Sequence, residues 1–384
     1  MNFPGNVVEL LSTLVRIQSV NPDGVPGVAD PGEGACAAYV GEFLKAIGAD
    51  VEAQEVHPGR PNIIGRFPHS GVPAGRRVIL APHTDTVSVV GMTIDPFSGE
   101  VRDGRVWGRG ASDTKGPMAA MLWALHELGR DAIARLGHEI WFAGLMSEEA
   151  GQDGSRAFVE AYRETSAIPP EATFALIGEP TAGKIIHAHK GSCRVDLVTC
   201  GVAVHSSLPG QGVNAIEKML PVLQYLREQV TPGLAAVENR LLGPPTMNIG
   251  VIRGGTKVNI VPDRCEAQVG FRTVPELYAG GIEWGRELAA QLRAVEPALE
   301  IDIVEAAPLW TDPSHPAIRA LEQAGMSCGG APWYCDAAVF SEAGIPAVAA
   351  GPGDIAQAHT CDEFISIDDL QRGVEFYKTF LQQL

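Results

Sequence analysis

The sequence is organised around two stretches, RRVILAPHTDTV at residues 76–87 and WGRGASDTKGP at residues 107–117. In the first stretch, the apolar run at residues 78–81 predicts a short buried strand. His83 and Asp85 follow at the carboxyl end of this strand, which is where open α/β sheets bind their ligands. Asp85 lies close enough in sequence to accept the second ring proton of His83 and to orient its ring toward a metal. A loop histidine beside a solvated acid is the alternative that this pair alone leaves open.

The second stretch supplies another candidate ligand, Asp113, just before a predicted helix. A D-G turn signal at residues 103–104 predicts a hairpin over residues 94–108. Pro117 suits the first turn of the helix that follows, and Gly129 suits its end. Asp113 is therefore either an acid at a helix start or a metal ligand. The residues that follow the other predicted strands help to distinguish the two.

Acidic and imidazole side chains also follow other predicted strands. Three more buried strands are predicted, at residues 139–146, 174–178 and 345–350. The side chains that come after them are, in chain order, Glu148, Glu149, Glu179 and His359. A solvated turn explains one such coincidence, but packing does not explain several of them at the ends of strands.

The side chains at these positions form a set suited to metal binding. The set contains two imidazoles and three carboxylates, namely His83, Asp113, Glu149, Glu179 and His359. It predicts two divalent ions with one histidine to each and a carboxylate between them. Zinc fits these ligands, as do cobalt and manganese. Glu148, adjacent to a ligand, is then available to transfer protons.

The order of the elements predicts two domains. Residues 1–188 and 304–384 predict an α/β catalytic domain with a central, mostly parallel sheet flanked by helices. Residues 189–303 interrupt it with a small α+β domain. The predicted strands of this insert are 192–199, 247–252, 264–272 and 299–304, and its predicted helices are 214–228 and 280–294.

The insert contains three further candidate site residues, His205, Asn259 and Arg272. Arg272 lies at the end of a predicted strand and suits a substrate carboxylate, because its planar fork binds carboxylates through two hydrogen bonds. A histidine on a surface loop and an arginine in a surface salt bridge are the alternatives at these positions.

Composition excludes several classes of function. The chain has 384 residues, of which 45% are hydrophobic, and this is enough for a large core. A net charge of -17 argues against a nucleic-acid partner, and no apolar run is long enough to span a membrane. The seven scattered cysteines form no C-x-x-C pair, which predicts reduced thiols and a cytoplasmic location.

Five strings in the sequence together resemble the M20 metallopeptidase group. They are, in order, HTDTV (83–87), GRGASDTKG (108–116), SEE (147–149), GEP (178–180) and AHTCDEF (358–364). The resemblance covers essentially the whole chain, and the joint pattern is highly specific. Within the group, the acetylornithine deacetylases are the most similar, on AHKGS (188–192), VHSSLPGQGVNAIE (204–217), PTMNIGVIRGGTKVNIVP (245–262) and GPGDIAQAHTCDEF (351–364).

The resemblance implies a zinc-peptidase-like catalytic domain and a ferredoxin-like insert that serves as a lid and dimerisation domain. It implies that His83 and Glu179 bind one metal ion, that Glu149 and His359 bind the other, and that Asp113 bridges the two ions.

Roles for the other candidates also come from the resemblance. Asp85 would support the first histidine ligand, and Glu148 would be the general base and acid. His205 would reach the active site of the partner subunit in a homodimer. Asn259 and Arg272 would hold the carboxylate of the substrate.

The implied reaction is metal-dependent hydrolysis of the N-acyl amide bond of an N-acylated amino acid. N-acetylornithine, cleaved to ornithine and acetate in arginine biosynthesis, is the foremost substrate. Succinyl-diaminopimelate desuccinylase, aminoacylase, glutamate carboxypeptidase or dipeptidase activity, and a non-catalytic metal-binding homologue, are the alternatives. The chain departs from the family at two places. Gly270 stands where an aspartate commonly precedes the arginine by two residues, and Asp336-Ala337 stands where the deacetylases have Thr-Glu.

Overall fold

The computed structural model describes residues 3–23, 32–70, 75–279 and 284–384. The chain divides into two compact units. The first unit consists of Met1–His187, Thr311–Gly329 and Cys335–Leu384, and the second of Ala188–Trp310 and Gly330–Tyr334. The insert predicted at residues 189–303 falls inside the second unit.

The strands and helices, with the bounds that the structure has, are as follows. The strands are β1 (Asp50–His57), β2 (Arg60–Arg66), β3 (Arg77–Ala81), β4 (Glu100–Arg102), β5 (Arg105–Trp107), β6 (Glu139–Gly144), β7 (Thr173–Ile177), β8 (Lys184–His189), β9 (Gly191–Cys200), β10 (Thr246–Gly254), β11 (Arg264–Thr273), β12 (Glu300–Ala306), β13 (Leu309–Trp310), β14 (Ser327–Ala331), β15 (Ala347–Ala349) and β16 (Phe364–Ser366). The α-helices are α1 (Val7–Arg16), α2 (Glu33–Ala46), α3 (Lys115–Leu128), α4 (Arg130–Ile133), α5 (Asp153–Thr165), α6 (Ala215–Tyr225), α7 (Thr231–Ala235), α8 (Trp284–Val295), α9 (Pro316–Gln323), α10 (Ala337–Glu342) and α11 (Ile367–Gln383).

The first unit is built on a twisted sheet with the strand order β1-β2-β6-β3-β7-β15-β8. Its central strands β6, β3, β7 and β15 are parallel, and the strands toward its edges pair antiparallel. Strands β3 and β7 are buried along their whole length, as expected for strands covered by helices on both faces. The predicted α/β class is confirmed. Because the central strands are parallel, the loops after them meet at one edge of the sheet.

Helices cover this sheet with a continuous apolar core. Every residue of helix α3 from Lys115 to Leu125 is buried, and the helix ends at Leu128, before Gly129 with its positive φ of 76°. It begins two residues before Pro117, close to the predicted start. Fully burying a leucine side chain contributes about 1.5–3 kcal/mol. The buried helix therefore anchors the segment before it, which contains Asp113. Helices α5 and α11 were not predicted from the sequence.

A small three-stranded sheet, β16-β5-β4, joins two distant parts of the first unit. The hairpin predicted over residues 94–108 is shorter in the structure and consists of β4 and β5 alone. Strand β16 pairs antiparallel with β5, so that Phe364 lies opposite Trp107. The segment that leads to Asp113 is thereby held next to the segment that follows His359.

The second unit is an antiparallel sheet, β10-β11-β9-β12, with helices on one face. Side chains of β11 alternate between buried and exposed, and the buried ones pack with α6 and α8. The predicted helix at 214–228 changes at Leu226 into a π-helical turn that ends at Val230. The first four residues of the predicted helix at 280–294 lie outside the described residues, and α8 is described from Trp284 onward. Among the described helices, none is long and apolar enough to cross a membrane.

Candidate metal centre

The structure brings the five predicted ligands together as two overlapping groups. Potential ligand atoms of His83, Asp113 and Glu179 lie within 4.8 Å of one another, and so do those of Asp113, Glu149 and His359. Asp113 belongs to both groups. Its Oδ1 lies 3.3 Å from Nε2 of His83, and its Oδ2 lies 3.4 Å from Nε2 of His359. Nε2 of His359 also lies 3.2 Å from Oε2 of Glu149. Each oxygen of one carboxylate therefore faces a different imidazole.

The topology of the sheet explains this convergence. His83, Glu149 and Glu179 follow the parallel strands β3, β6 and β7, whose carboxyl ends share one edge. Asp113 lies immediately before the buried helix α3. The chain after β15 passes close to it at Gly353, whose φ of +89° and lack of a Cβ permit the approach. A Cβ there would lie only 2.7 Å from Oγ of Ser112.

The donor set fits divalent cations. Oε1 of Glu149 and Oε1 of Glu179 are buried and have no hydrogen-bond partner among the residues that the structure describes. Leaving buried carboxylate oxygens unpaired is costly, and a cation held in each ligand group would satisfy them. Imidazole and carboxylate ligands suit zinc, cobalt and manganese. The His359 side chain is 56% exposed, so the group that contains it borders solvent.

Burial and the neighbouring polar groups together set the pKa values of these ligands. Burial opposes ionisation of Asp113, but hydrogen bonds from His359 and His83 outweigh it and lower the pKa of this carboxyl. Burial raises the pKa of Glu179 well above its usual range, and the nearby acids Asp113 and Glu149 add to that effect. A cation bound beside Glu179 would stabilise the ionised form of this buried carboxyl.

Glu148 is adjacent to this cluster and has the character of a proton-transfer group. Burial raises its pKa well above the usual range, His83 opposes the shift, and the charges of Glu179 and Asp336 reinforce it. A carboxyl group with a raised pKa takes up and releases a proton near neutral pH more readily than an ordinary glutamate.

Asp85 contacts more than the neighbouring histidine. Nδ1 of His83 lies 3.0 Å from the backbone oxygen of Asp85 and 3.4 Å from its Oδ1. The carboxylate of Asp85 accepts hydrogen bonds from the backbone N–H of Glu148 at 3.0 Å, the backbone N–H of Glu149 at 3.1 Å, and Nδ2 of Asn21 at 2.8 Å. It therefore fixes the turn that presents both glutamates.

Two buried acids around the centre were not predicted from the sequence. Glu33 is fully buried, pairs with Arg60, and accepts the backbone N–H of Ser147 at 3.1 Å. Glu363 is fully buried beside Asp113. Glu33 follows a glycine-rich loop without any distinguishing pattern. Glu363, in contrast, belongs to the AHTCDEF string that also contains His359, and this is the sequence signal that marks it.

Asp336, one of the departures from the family pattern, lies in the first unit and is buried. Its Oδ1 accepts a hydrogen bond from Oγ of Ser155 at 2.6 Å. Burial raises its pKa to about 7, and the hydrogen bond from Ser155 opposes that shift. Its charge acts on Glu148 and Glu179. A buried acid therefore lies near the candidate metal centre.

The three candidate residues of the second unit are all exposed. His205 and Asn259 lie on adjacent segments, because Ser206 N–H donates to the backbone oxygen of Asn259 at 3.0 Å. Nδ1 of His205 is 2.7 Å from Oγ of Ser207. Arg272 lies near the end of β11, with its backbone paired to β9 and β10.

Comparison with known proteins identifies relatives over the whole chain. The family described as Peptidase family M20/M25/M40 matches residues 79–383. The acetylornithine deacetylase of Vibrio parahaemolyticus is 31% identical over 378 residues, which cover 94% of this chain and 93% of that protein. The acetylornithine deacetylase of Salmonella arizonae is 29% identical over 377 residues, which cover 93% and 92%.

Solved structures show the same fold. An M20 family metallo-carboxypeptidase from Sulfolobus solfataricus superposes with a TM-score of 0.76 at 18% identity, over 99% of both chains. A dinuclear metal-binding peptidase of the M20 family from Bacillus subtilis superposes with a TM-score of 0.68 at 15% identity, over 98% of this chain and 96% of that one. At these identities the similarity establishes the fold alone.

Proposed function

Because this chain belongs to peptidase family M20/M25/M40 and is a hydrolase of that family, we propose that it hydrolyses the N-acyl amide bond of N-acylated amino acids. The foremost substrate is N-acetylornithine, which would be cleaved to ornithine and acetate. One observation carries the proposal. Asp113 belongs to both candidate ligand groups, and Glu148 lies beside them. The names of relatives at about 30% identity support the choice of substrate.

In this proposal the two ligand groups each hold a divalent ion, most simply zinc. His83 and Glu179 would hold one ion, Glu149 and His359 would hold the other, and Asp113 would serve both. When bound, such ions polarise the scissile carbonyl and make a water molecule more acidic.

Glu148 moves the protons of the reaction. It accepts a proton from the attacking water and then donates a proton to the departing amine, whose bond to the acyl carbon breaks. Its raised pKa suits both transfers. The contacts of Asp85 with the backbone at 148 and 149 keep this carboxyl in a constant position.

We assign the second unit, with the hinges near residues 189 and 303, to lid closure and dimerisation. Arg272 and Asn259 would bind the carboxylate of the substrate, and closure of the lid would exclude water. His205 of the partner subunit would donate a hydrogen bond to the oxyanion that forms on the acyl carbon.

An exposed apolar surface supports dimerisation through the second unit. Val202, Leu208, Val213 and Val258 are all more than two-fifths exposed. Val202 pairs with Val213, so two of these side chains are neighbours, and Leu208 N–H donates to the backbone oxygen of His205. Exposed apolar side chains that lie together, as those of Val202 and Val213 do, mark interaction sites, and a second copy of the chain is the proposed partner. Sedimentation of the purified protein tests this, and a monomer at micromolar concentration would contradict it.

The proposed compartment is the cytoplasm. All seven cysteines, each of which lies within the described ranges, are free thiols, and a reducing environment keeps thiols in that state.

The experiment that tests the function is release of free amine from a panel of N-acyl amino acids. The panel contains N-acetylornithine, N-succinyl-diaminopimelate, N-acetylmethionine and an N-acylglutamate, each assayed with added zinc or cobalt and again after chelation. A metal-dependent preference for N-acetylornithine is the expected result. A preference for another member would move the substrate to that compound. A protein that binds two ions and hydrolyses none of the four would contradict the proposed substrate class.

A further inference from the structure

Glu363 is buried between the two segments that present the ligands Asp113 and His359. Its Oε1 accepts the backbone N–H groups of Ser112 at 2.8 Å and Asp113 at 2.9 Å. Its Oε2 accepts the backbone N–H of Gly110 at 3.0 Å and Nη1 of Arg109 at 2.7 Å. The side chain has no exposed surface. These four donors occupy about as many hydrogen bonds as an ionised carboxylate accepts.

The backbone around Glu363 continues the same connection. Its carbonyl accepts the N–H of Gly108 at 3.0 Å, and the next residue, Phe364, pairs with Trp107 across the β16–β5 ladder. Beyond the end of the β16–β5 ladder, the carboxylate of Glu363 connects the segment before β16 to the segment after β5 through its hydrogen bonds to residues 110–113. The segment before Asp113 is therefore held at a constant distance from the segment that contains His359.

We propose that Glu363 is a positioning residue, which sets the placement of Asp113 relative to His359 and so the affinity of the ion that these two share with Glu149. This role rests on the metal centre of the proposed function, but not on the identity of the substrate. The ligand pair that it controls lies close together, with Oδ2 of Asp113 at 3.4 Å from Nε2 of His359.

A purely structural ion pair with Arg109 is the competing explanation. The hydrogen bonds distinguish the two, because three of the four donors are backbone N–H groups of the loop that ends in Asp113. An amide at this position has one acceptor oxygen and turns its NH₂ group toward N–H donors. In Glu363→Gln, at least one side of the loop therefore loses its hydrogen bonds.

The test compares Glu363→Gln with Glu139→Gln. Glu139 lies at the opposite end of the sheet, at the start of β6, and accepts two hydrogen bonds from the buried Arg77. Zinc and cobalt binding to the metal-free proteins is measured by titration calorimetry, the visible absorption of the cobalt form is recorded, and the unfolding midpoint is determined. For Glu363→Gln we expect affinity for at least one of the two ions to fall about 10–100-fold, with an altered cobalt spectrum, because Asp113 belongs to both ligand groups. Glu139→Gln should lose stability only.

Two unchanged ion affinities in Glu363→Gln, with a loss of stability like that of Glu139→Gln, would overturn the proposal. If Glu363→Gln does not fold, Glu363→Asp retains both oxygens and the charge on a shorter stem. Weakened binding of one ion by Glu363→Asp is then expected, and unchanged binding would overturn the role. A wild-type chain that binds two ions but cleaves none of the panel would contradict the proposed substrate class and leave the role of Glu363 unaffected. A wild-type chain that binds no ion would overturn both the metal centre and this role.

Discussion

The carboxylate of Asp85 accepts a hydrogen bond from the backbone N–H of Glu148, with 3.0 Å between Oδ1 and the nitrogen. The same carboxylate accepts the N–H of Glu149 at 3.1 Å. Asp85, which follows strand β3, thereby fixes the turn that follows strand β6. The candidate general base and a candidate ligand share one support, so a change in that support affects chemistry and metal binding together.

Replacing Asp85 with asparagine should lower kcat by about 10–100-fold, a loss typical of residues that orient metal ligands. The asparagine has one acceptor oxygen, so one of the two N–H groups at 148 and 149 loses its partner. Asn21→Ala is the matched control, because Asn21 donates to the same carboxylate at 2.8 Å but its loss leaves the acceptors of the N–H groups at 148 and 149 in place. Steady-state kinetics and metal content check both variants. Equal losses in Asp85→Asn and Asn21→Ala would contradict the support of Glu148.

Glu148→Ala should retain both metal ions and lose turnover by about 10²–10⁴-fold, the usual contribution of a general acid–base. The ligand groups do not include Glu148, so metal content should stay at that of the wild type. Metal analysis of the purified variant and its kcat are the two measurements. Activity close to that of the wild type would show that another group transfers the proton.

His205→Ala should lower kcat by about 10²–10³-fold, as expected when an oxyanion donor is removed. Mixing it with the Glu148→Ala protein should restore up to about one quarter of wild-type activity. The reason is that half of the dimers are mixed and each has one intact site out of two. Subunit exchange is verified by native mass spectrometry. Verified exchange without recovery of activity would contradict a site shared between subunits.

His138, just before β6, should make the folded state sensitive to acid. Its two ring nitrogens are buried and have no hydrogen-bond partner within the described part of the chain. Burial lowers its pKa from 6.5 to about 4, and the charges of Arg76 and His69 add to this. The unfolded chain therefore binds a proton at this ring between pH 6.5 and 4 that the folded chain does not.

As the pH is lowered from 6.5 to 4, the free energy of unfolding should consequently decrease. This group contributes at most about 1.4 kcal/mol per pH unit to that decrease. His138→Leu removes the titration, so the wild type should lose more stability than the variant between pH 6.5 and 4. Urea unfolding of both proteins at several pH values measures the difference. Parallel pH profiles would rule out a buried neutral ring at this position.

Much of the fold follows from local patterns. The strands near 80, 142 and 175, and helix α3 with its end at Gly129, agree with the prediction, because apolar periodicity and terminating residues act within a few positions. The hairpin before Asp113 was predicted too long. The turn signal marks its tip, but the pairing of β5 with β16 uses a strand more than 250 residues away. No local pattern contains that information.

By itself, the sequence determined which side chains are able to bind metal and that several of them follow buried strands, because residue type and strand period are local properties. Only the tertiary structure decided that the two oxygens of Asp113 face different histidines. That arrangement depends on the parallel order of β3, β7 and β15 and on the pairing of β16 with β5, which bring together the segments after β3, before α3 and after β15. It also decided the placement of Glu363, whose carboxylate accepts the backbone N–H of Asp113, 250 positions away in the chain. Burial makes such a contact strong, and burial is a property of the folded chain as a whole.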